Sequence, residues 1–147
     1  MAVTLSRQPI ISRDALQEIG DTRLSEAEAL FQASHYAGTV YLGGYAVECY
    51  LKLAVCVTLG WPDLLGTFKV HDLEGLLLYS GFDKDLRADS GVYDSFAKIA
   101  TIWKVEGSDS VRYRRAVEFD EPTAKRFLQY VSDPTAGVLP WFRRVIS

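Results

Sequence analysis

The 147-residue chain is poor in the residues that build metal sites and disulfide frameworks: two cysteines, two histidines, one methionine and five prolines. Cys49 and Cys56 are seven apart. On one helix their Cα atoms would lie about 10 Å apart, beyond disulfide reach. They therefore read as buried thiols of a reducing compartment, and a cytoplasmic location is expected. His35 and His71 have no Cys, Asp or Glu at ligand spacing, apart from Asp72 beside His71, which a helix would turn elsewhere. No metal site is expected. There is no glycine-rich phosphate loop, no nucleophile elbow and no paired-carboxylate motif, so nothing in the residues asks for a cofactor or identifies an enzyme. Met1 to Ile11 carries Arg7 and no long apolar core, which is not a signal-peptide pattern. Internal repeats and low-complexity runs are also missing.

What the chain does have is a globular balance, 48% hydrophobic and 24% charged, in a length suited to one domain that buries roughly 70% of its unfolded surface. A single domain over 1–147 is expected, with an N-terminal arm over about the first 20 residues. The net charge of −3 is unevenly spread. Residues 1–97 hold 7 basic and 13 acidic side chains, and residues 98–147 hold 9 and 6. The basic final third suits a phosphate backbone or an acidic partner, and equally a solvated helix face.

Period and caps predict an all-α chain, an up-and-down bundle of about five helices. The first helix is expected from Thr22 to Tyr36, with Ser25 and Glu28 as a capping box and a short amphipathic turn, Arg13 to Ile19, before it. The second, Thr39 to Leu59, is the most apolar segment and stops at Gly60-Trp61-Pro62. It has the length of a membrane span. Its only charges, Glu48 and Lys52, fall at mid-span, where they would be expensive in lipid, and no basic cluster flanks it. A buried central helix is expected instead, with no membrane, and Gly43-Gly44 admitting a close neighbour. Asp72 is placed to cap a third helix ending at Ser80-Gly81, and Ser90 a fourth, where Val92, Phe96, Ile99 and Trp103 form a helical stripe. Asp120-Glu121-Pro122 opens a fifth. Asp133-Pro134 marks a break and restart, and Pro140 is expected to kink the last segment of the chain.

Glu48 and Lys52 are an i, i+4 pair in apolar surroundings, where a charge needs a partner. They read as a polar tie between helices, with Lys52 or Arg112 holding Glu48, or as a pocket floor where Lys52 meets a phosphate. His71 stands at the mouth of the third helix, where capping is the structural role.

Taken in order, Arg23-Leu24-Ser25-Glu26-Ala27-Glu28, Tyr36-Ala37-Gly38, Gly44-Tyr45-Ala46-Val47-Glu48 with Leu51-Lys52, His71-Asp72-Leu73, Trp103 and Arg112-Tyr113 resemble the landmarks of HEPN domains (higher eukaryotes and prokaryotes nucleotide-binding). They cover the chain from about residue 22 onward, and the branch they resemble is the one paired with minimal nucleotidyltransferases. The resemblance implies a helical homodimer that binds a nucleotidyltransferase partner, nucleotide or RNA, in a toxin–antitoxin or defence-type system. It implies Lys52, His71, Arg112, Tyr113 and Arg115 as nucleotide or RNA contacts, with Glu48 and Trp103 as structural polar residues. Exposed Trp61 and Trp141 are expected to supply apolar interface.

Catalytic HEPN members are metal-independent ribonucleases that use arginine followed after four to six residues by histidine. In this chain the slots after Arg112 hold Val117, Glu118 and Phe119. Those after Arg114 and Arg115 hold no histidine either. A non-catalytic binding protein is therefore the first expectation. A divergent ribonuclease using Arg112 with a non-standard base is the second, and a purely structural helical protein the third.

Overall fold

The first long helix starts earlier than its apolar spacing suggests, because a serine is there to start it. In the computed structural model, which describes residues 8–107 and 110–147, β1 (Pro9–Ser12) runs directly into α1 (Arg13–Gln32). The Ser12 hydroxyl accepts from the Ala15 N–H at 3.2 Å. The turn expected over Arg13–Ile19 and the helix expected from Thr22 are thus one element. Ser25 and Glu28 fall in mid-helix, where no free N–H groups remain for a capping box. At Ser34 the chain takes a φ of 64°, left-handed for a residue with a side chain. This tight turn folds α2 (Tyr36–Leu59) back along α1, and Gly60 ends α2 with a φ of 67°.

α2 is the axis of the molecule: α1 and three later helices pack along it, and a fourth reaches it through Trp103 at its C-cap. Of the helices described, it is long and apolar enough to cross a membrane, yet 72% of its most apolar stretch is buried inside the fold. Val47, Leu51, Leu76, Ile99, Phe127 and Phe142 are fully buried in one continuous core. Each such side chain contributes on the order of 1.5–3 kcal/mol when removed from water.

After α2, β2 (Asp63–Leu65) pairs antiparallel with β1, Ile11 opposite Leu64 and Ser12 opposite Asp63, with an irregularity beyond Ile11. This sheet was not expected, since strands of four and three residues are too short to show alternation. α3 (Leu73–Ser80) ends at Gly81 as its sequence predicts, but the Asp72 side chain caps nothing. α4 (Asp83–Ala88) is a further addition, a single turn and a half that buries only Leu86. α5 (Ser90–Ile102) is capped by Asp89 rather than Ser90: the Asp89 carboxylate accepts from the Val92 N–H at 3.2 Å.

α6 (Glu121–Ser132) begins as predicted, with Asp120 accepting from the Thr123 N–H at 2.9 Å and Pro122 in the first turn. α7 (Val138–Ile146) comes last. Pro140 is its third residue, where a backbone N–H has no intrahelical acceptor to lose, so the expected kink has no cause. Trp141 is buried, edge-on against Phe82 and Phe142, and Trp61 is half-buried against Phe68. Neither is the open apolar surface expected of it. Apart from the small sheet, the all-α class stands, with seven α-helices among the described residues rather than five.

Candidate functional site

Tyr41, Tyr45, Glu48 and Lys52 are spaced four, three and four along α2, which places them on one face of the helix. That face meets the residues before α3 and those after α5. Trp103 is the C-cap of α5, where the backbone leaves the helix. Its indole, 2% exposed, lies directly on Gly44. A Cβ added there would stand 2.1 Å from the ring, so only glycine fits. The indole N–H donates to the Tyr41 carbonyl at 3.0 Å. This accounts for Gly44 and supports the structural reading of Trp103.

Three rings gather on Tyr45. Trp103 and Tyr41 meet it edge-on at 5.0 Å, and His71 does so at 6.2 Å. One turn further, the Glu48 carboxylate is 6% exposed and held from two sides. His71 Nδ1 lies 2.6 Å from Oε1, and Lys52 Nζ lies 3.5 Å from Oε2. Burial of the carboxylate is tolerable because both oxygens have charge-bearing or hydrogen-bonding neighbours. Lys52 holds Glu48 as one reading of the sequence expected. The second expected holder, Arg112, is elsewhere, and His71 takes its place instead of capping α3.

Arg112 belongs to a 3-10 turn, Val111–Tyr113. Ser110 fixes that turn, its hydroxyl donating to the Val105 carbonyl and accepting from the Arg112 N–H. From there the guanidinium donates through Nη2 to the Tyr45 hydroxyl at 3.2 Å, and the Tyr45 and Tyr41 hydroxyls are 3.3 Å apart. Among the described residues no carboxylate pairs with Arg112. Burial, foremost, raises the Tyr45 pKa; the Tyr41 hydroxyl adds to this and Arg112 opposes it. The phenol is therefore neutral, an acceptor for arginine and not a phenolate partner. Hydrogen bonds to Tyr45 and Tyr41 hold the Arg112 pKa above its ordinary value.

Of the five expected ligand contacts, the structure brings Arg112 and His71 to two sides of Tyr45. Lys52 shares their stripe but is buried, its side chain 10% exposed against Glu48. Tyr113 is 80% exposed and Arg115 is exposed on the segment beyond. There Glu118 is the local anchor: Arg114 Nε donates to it at 3.1 Å, and the Arg115 N–H at 2.6 Å. Between the start of α3 and the end of α5 opens a cleft of ≈ 320 Å³, walled by His71, Asp72 and Glu74 on one side and Trp103, Lys104 and Glu106 on the other. Its charges are mixed. Among the described residues no three His, Cys, Asp or Glu side chains gather to hold a metal ion.

Tyr45, which joins the two halves of the site, was missed from the sequence. Its signal was available: continuing the Glu48–Lys52 spacing backwards along the helix reaches Tyr45 and Tyr41. Comparison of the chain with family models, with curated proteins and with solved structures gave no match.

Proposed function

We propose that this chain is a non-catalytic, HEPN-like helical domain that binds nucleotide or RNA through phosphate contact at Arg112, as a homodimer associated with a nucleotidyltransferase-type partner. The observation that carries the phosphate reading is Arg112 itself. It is a surface guanidinium held in place by a neutral hydroxyl, with no carboxylate neutralising it among the described residues. Such a group favours a phosphate oxygen, which a guanidinium meets with two parallel N–H donors. Tyr113, 80% exposed beside it, offers a ring on which an unstacked base can rest. The non-catalytic part rests on the run after Arg112, where no histidine stands at the spacing that the family's nucleases use.

One observation favours a second reading, ribonuclease. His71 and Arg112 both contact Tyr45, and Glu48 orients the His71 ring through Nδ1 as a carboxylate orients a catalytic imidazole. The test is fluorescence anisotropy with single-stranded RNA at two salt concentrations, followed by incubation in excess EDTA. The binding reading expects affinity that falls with salt, weakens with Arg112→Ala and leaves the RNA intact. Cleavage in EDTA that both Arg112→Ala and His71→Ala abolish establishes the nuclease instead. Absence of both binding and cleavage removes both readings and leaves Arg112 as an internal brace.

A further inference from the structure

Arg112 is attached to the fold through the Tyr45 hydroxyl, with the Tyr41 hydroxyl beside it, and the ring behind that contact is closely packed. The Tyr45 hydroxyl sits on a ring packed edge-on against Trp103 and Tyr41. Trp103 in turn is locked onto Gly44 and bonded to the Tyr41 carbonyl. The Tyr41 hydroxyl, 3.3 Å away, completes the polar end of the stack. The guanidinium has five N–H donors and keeps several beyond what it gives to this platform. Two nearby cations are already engaged. Arg114 is paired with Glu118, and Lys52 is buried against Glu48.

Resting on the phosphate-binding reading above, we infer that Tyr45 is a positioning residue, whose hydroxyl pre-sets Arg112 to grip a single phosphate. An unheld surface arginine loses rotamer freedom when it closes on a ligand, and that loss subtracts from affinity. An arginine already held by the Tyr45 hydroxyl has lost part of it before the ligand arrives. Tyr45 touches no ligand atom; it acts through Arg112. The hydroxyl and the ring are separable in this role. The ring holds up the core through Trp103, and only the hydroxyl holds the arginine.

The experiment is a double-mutant cycle on RNA binding, read as affinity and as its dependence on salt. Arg112→Ala is expected to weaken binding about tenfold and to lower the salt slope by roughly one phosphate contact. Tyr45→Phe is expected to weaken it about three- to tenfold with the slope unchanged, because the charge remains. In the Arg112→Ala background, Tyr45→Phe should change nothing further. An equal loss in both backgrounds, or no loss with Arg112 present, overturns the inference. A second measurement needs no ligand: nitrogen-15 NMR of the Arg112 guanidinium should show hindered rotation in the unsubstituted protein and free rotation in Tyr45→Phe. Free rotation in the unsubstituted protein also overturns it, whether or not the variant folds. If the guanidinium is held but Arg112→Ala leaves RNA affinity unchanged, the phosphate reading fails while the positioning contact stands.

Discussion

Two tyrosines five residues apart on α2 each accept a hydrogen bond from an arginine far along the chain, and the two clusters end differently. Arg143 on α7 donates through Nε to the Tyr50 hydroxyl at 3.1 Å and through Nη2 to Asp21 on α1 at 2.8 Å. Tyr50 itself donates to Asp21 at 2.5 Å. The ring of contacts closes, and the guanidinium's charge is answered within the protein. Burial is the largest influence on Arg143 and opposes its charge, but the hydrogen bonds to Asp21 and Tyr50 prevail and raise its pKa. At Tyr45 the same donor and acceptor types meet with no acid among the described residues. The carboxylate is what closes the Arg143 cluster, and under the phosphate-binding proposal its counterpart at Arg112 would be the ligand.

The comparison breaks first at its most buried point. Glu48→Gln leaves Lys52 and His71 without their anion, and loss of one partner of a buried pair costs about 3–5 kcal/mol. Urea unfolding is expected to show that loss, and a shift in midpoint too small to measure would mean that water reaches Glu48. Next come the glycines beneath the two clusters. At Gly44 a Cβ would fall 2.1 Å from the Trp103 indole, whereas at Gly20 it would fall 3.0 Å from the Tyr50 ring. Gly44→Ala should therefore cost at least the ~1–3 kcal/mol of an overpacked core. Gly20→Ala should cost visibly less in the same thermal melts; the reverse order would mean that the indole moves freely.

A smaller effect separates the arginines. Arg143→Ala opens a closed cluster and should lower the melting temperature, while Arg112→Ala should leave it unchanged and alter only ligand binding. The smallest effect is chemical. Cys49 lies on α2 between the two tyrosines, and burial, followed by the adjacent Glu48 charge, pushes its thiol up to about 11. At pH 8 only on the order of one thiol in a thousand is then ionised. Alkylation of the native protein should be slow, and should become faster as pH rises toward that value. Glu48→Gln should speed it modestly by removing one of the two causes, provided that the variant remains folded.

The long elements were legible because their signals are local. Gly60, Gly81, Asp120 and Pro122 mark boundaries where the structure has them, and the stripe Val92, Phe96 and Ile99 is one face of α5, with Trp103 just past its end. The elements missed are those too short to carry a period: β1, β2 and α4 owe their existence to what they pack against. In the candidate site, Glu48 and Lys52 were visible as a pair because four residues separate them on one helix. His71 joins them from 23 residues away, and Arg112 reaches Tyr45 across 67. No local spacing or period signals a meeting at such separations. Gly44 announced a close approach without naming the indole that makes it.

The tight turn at Ser34 also bears on the order in which the molecule assembles. It makes α1 and α2 a hairpin of local contacts, the kind that forms early in folding because little chain entropy is lost in closing it. Two faces of α2 then wait for α6 and α7, which lie roughly 70 to 100 residues further along the chain. Until Arg143 arrives at Asp21, across 122 residues, the newborn hairpin shows water the apolar side of α2, from Val40 to Cys56. Pulse-labelled hydrogen exchange should find α1 and α2 amides protected first and those of α7 last. During synthesis, that interval is when the chain exposes the most apolar surface to aggregation.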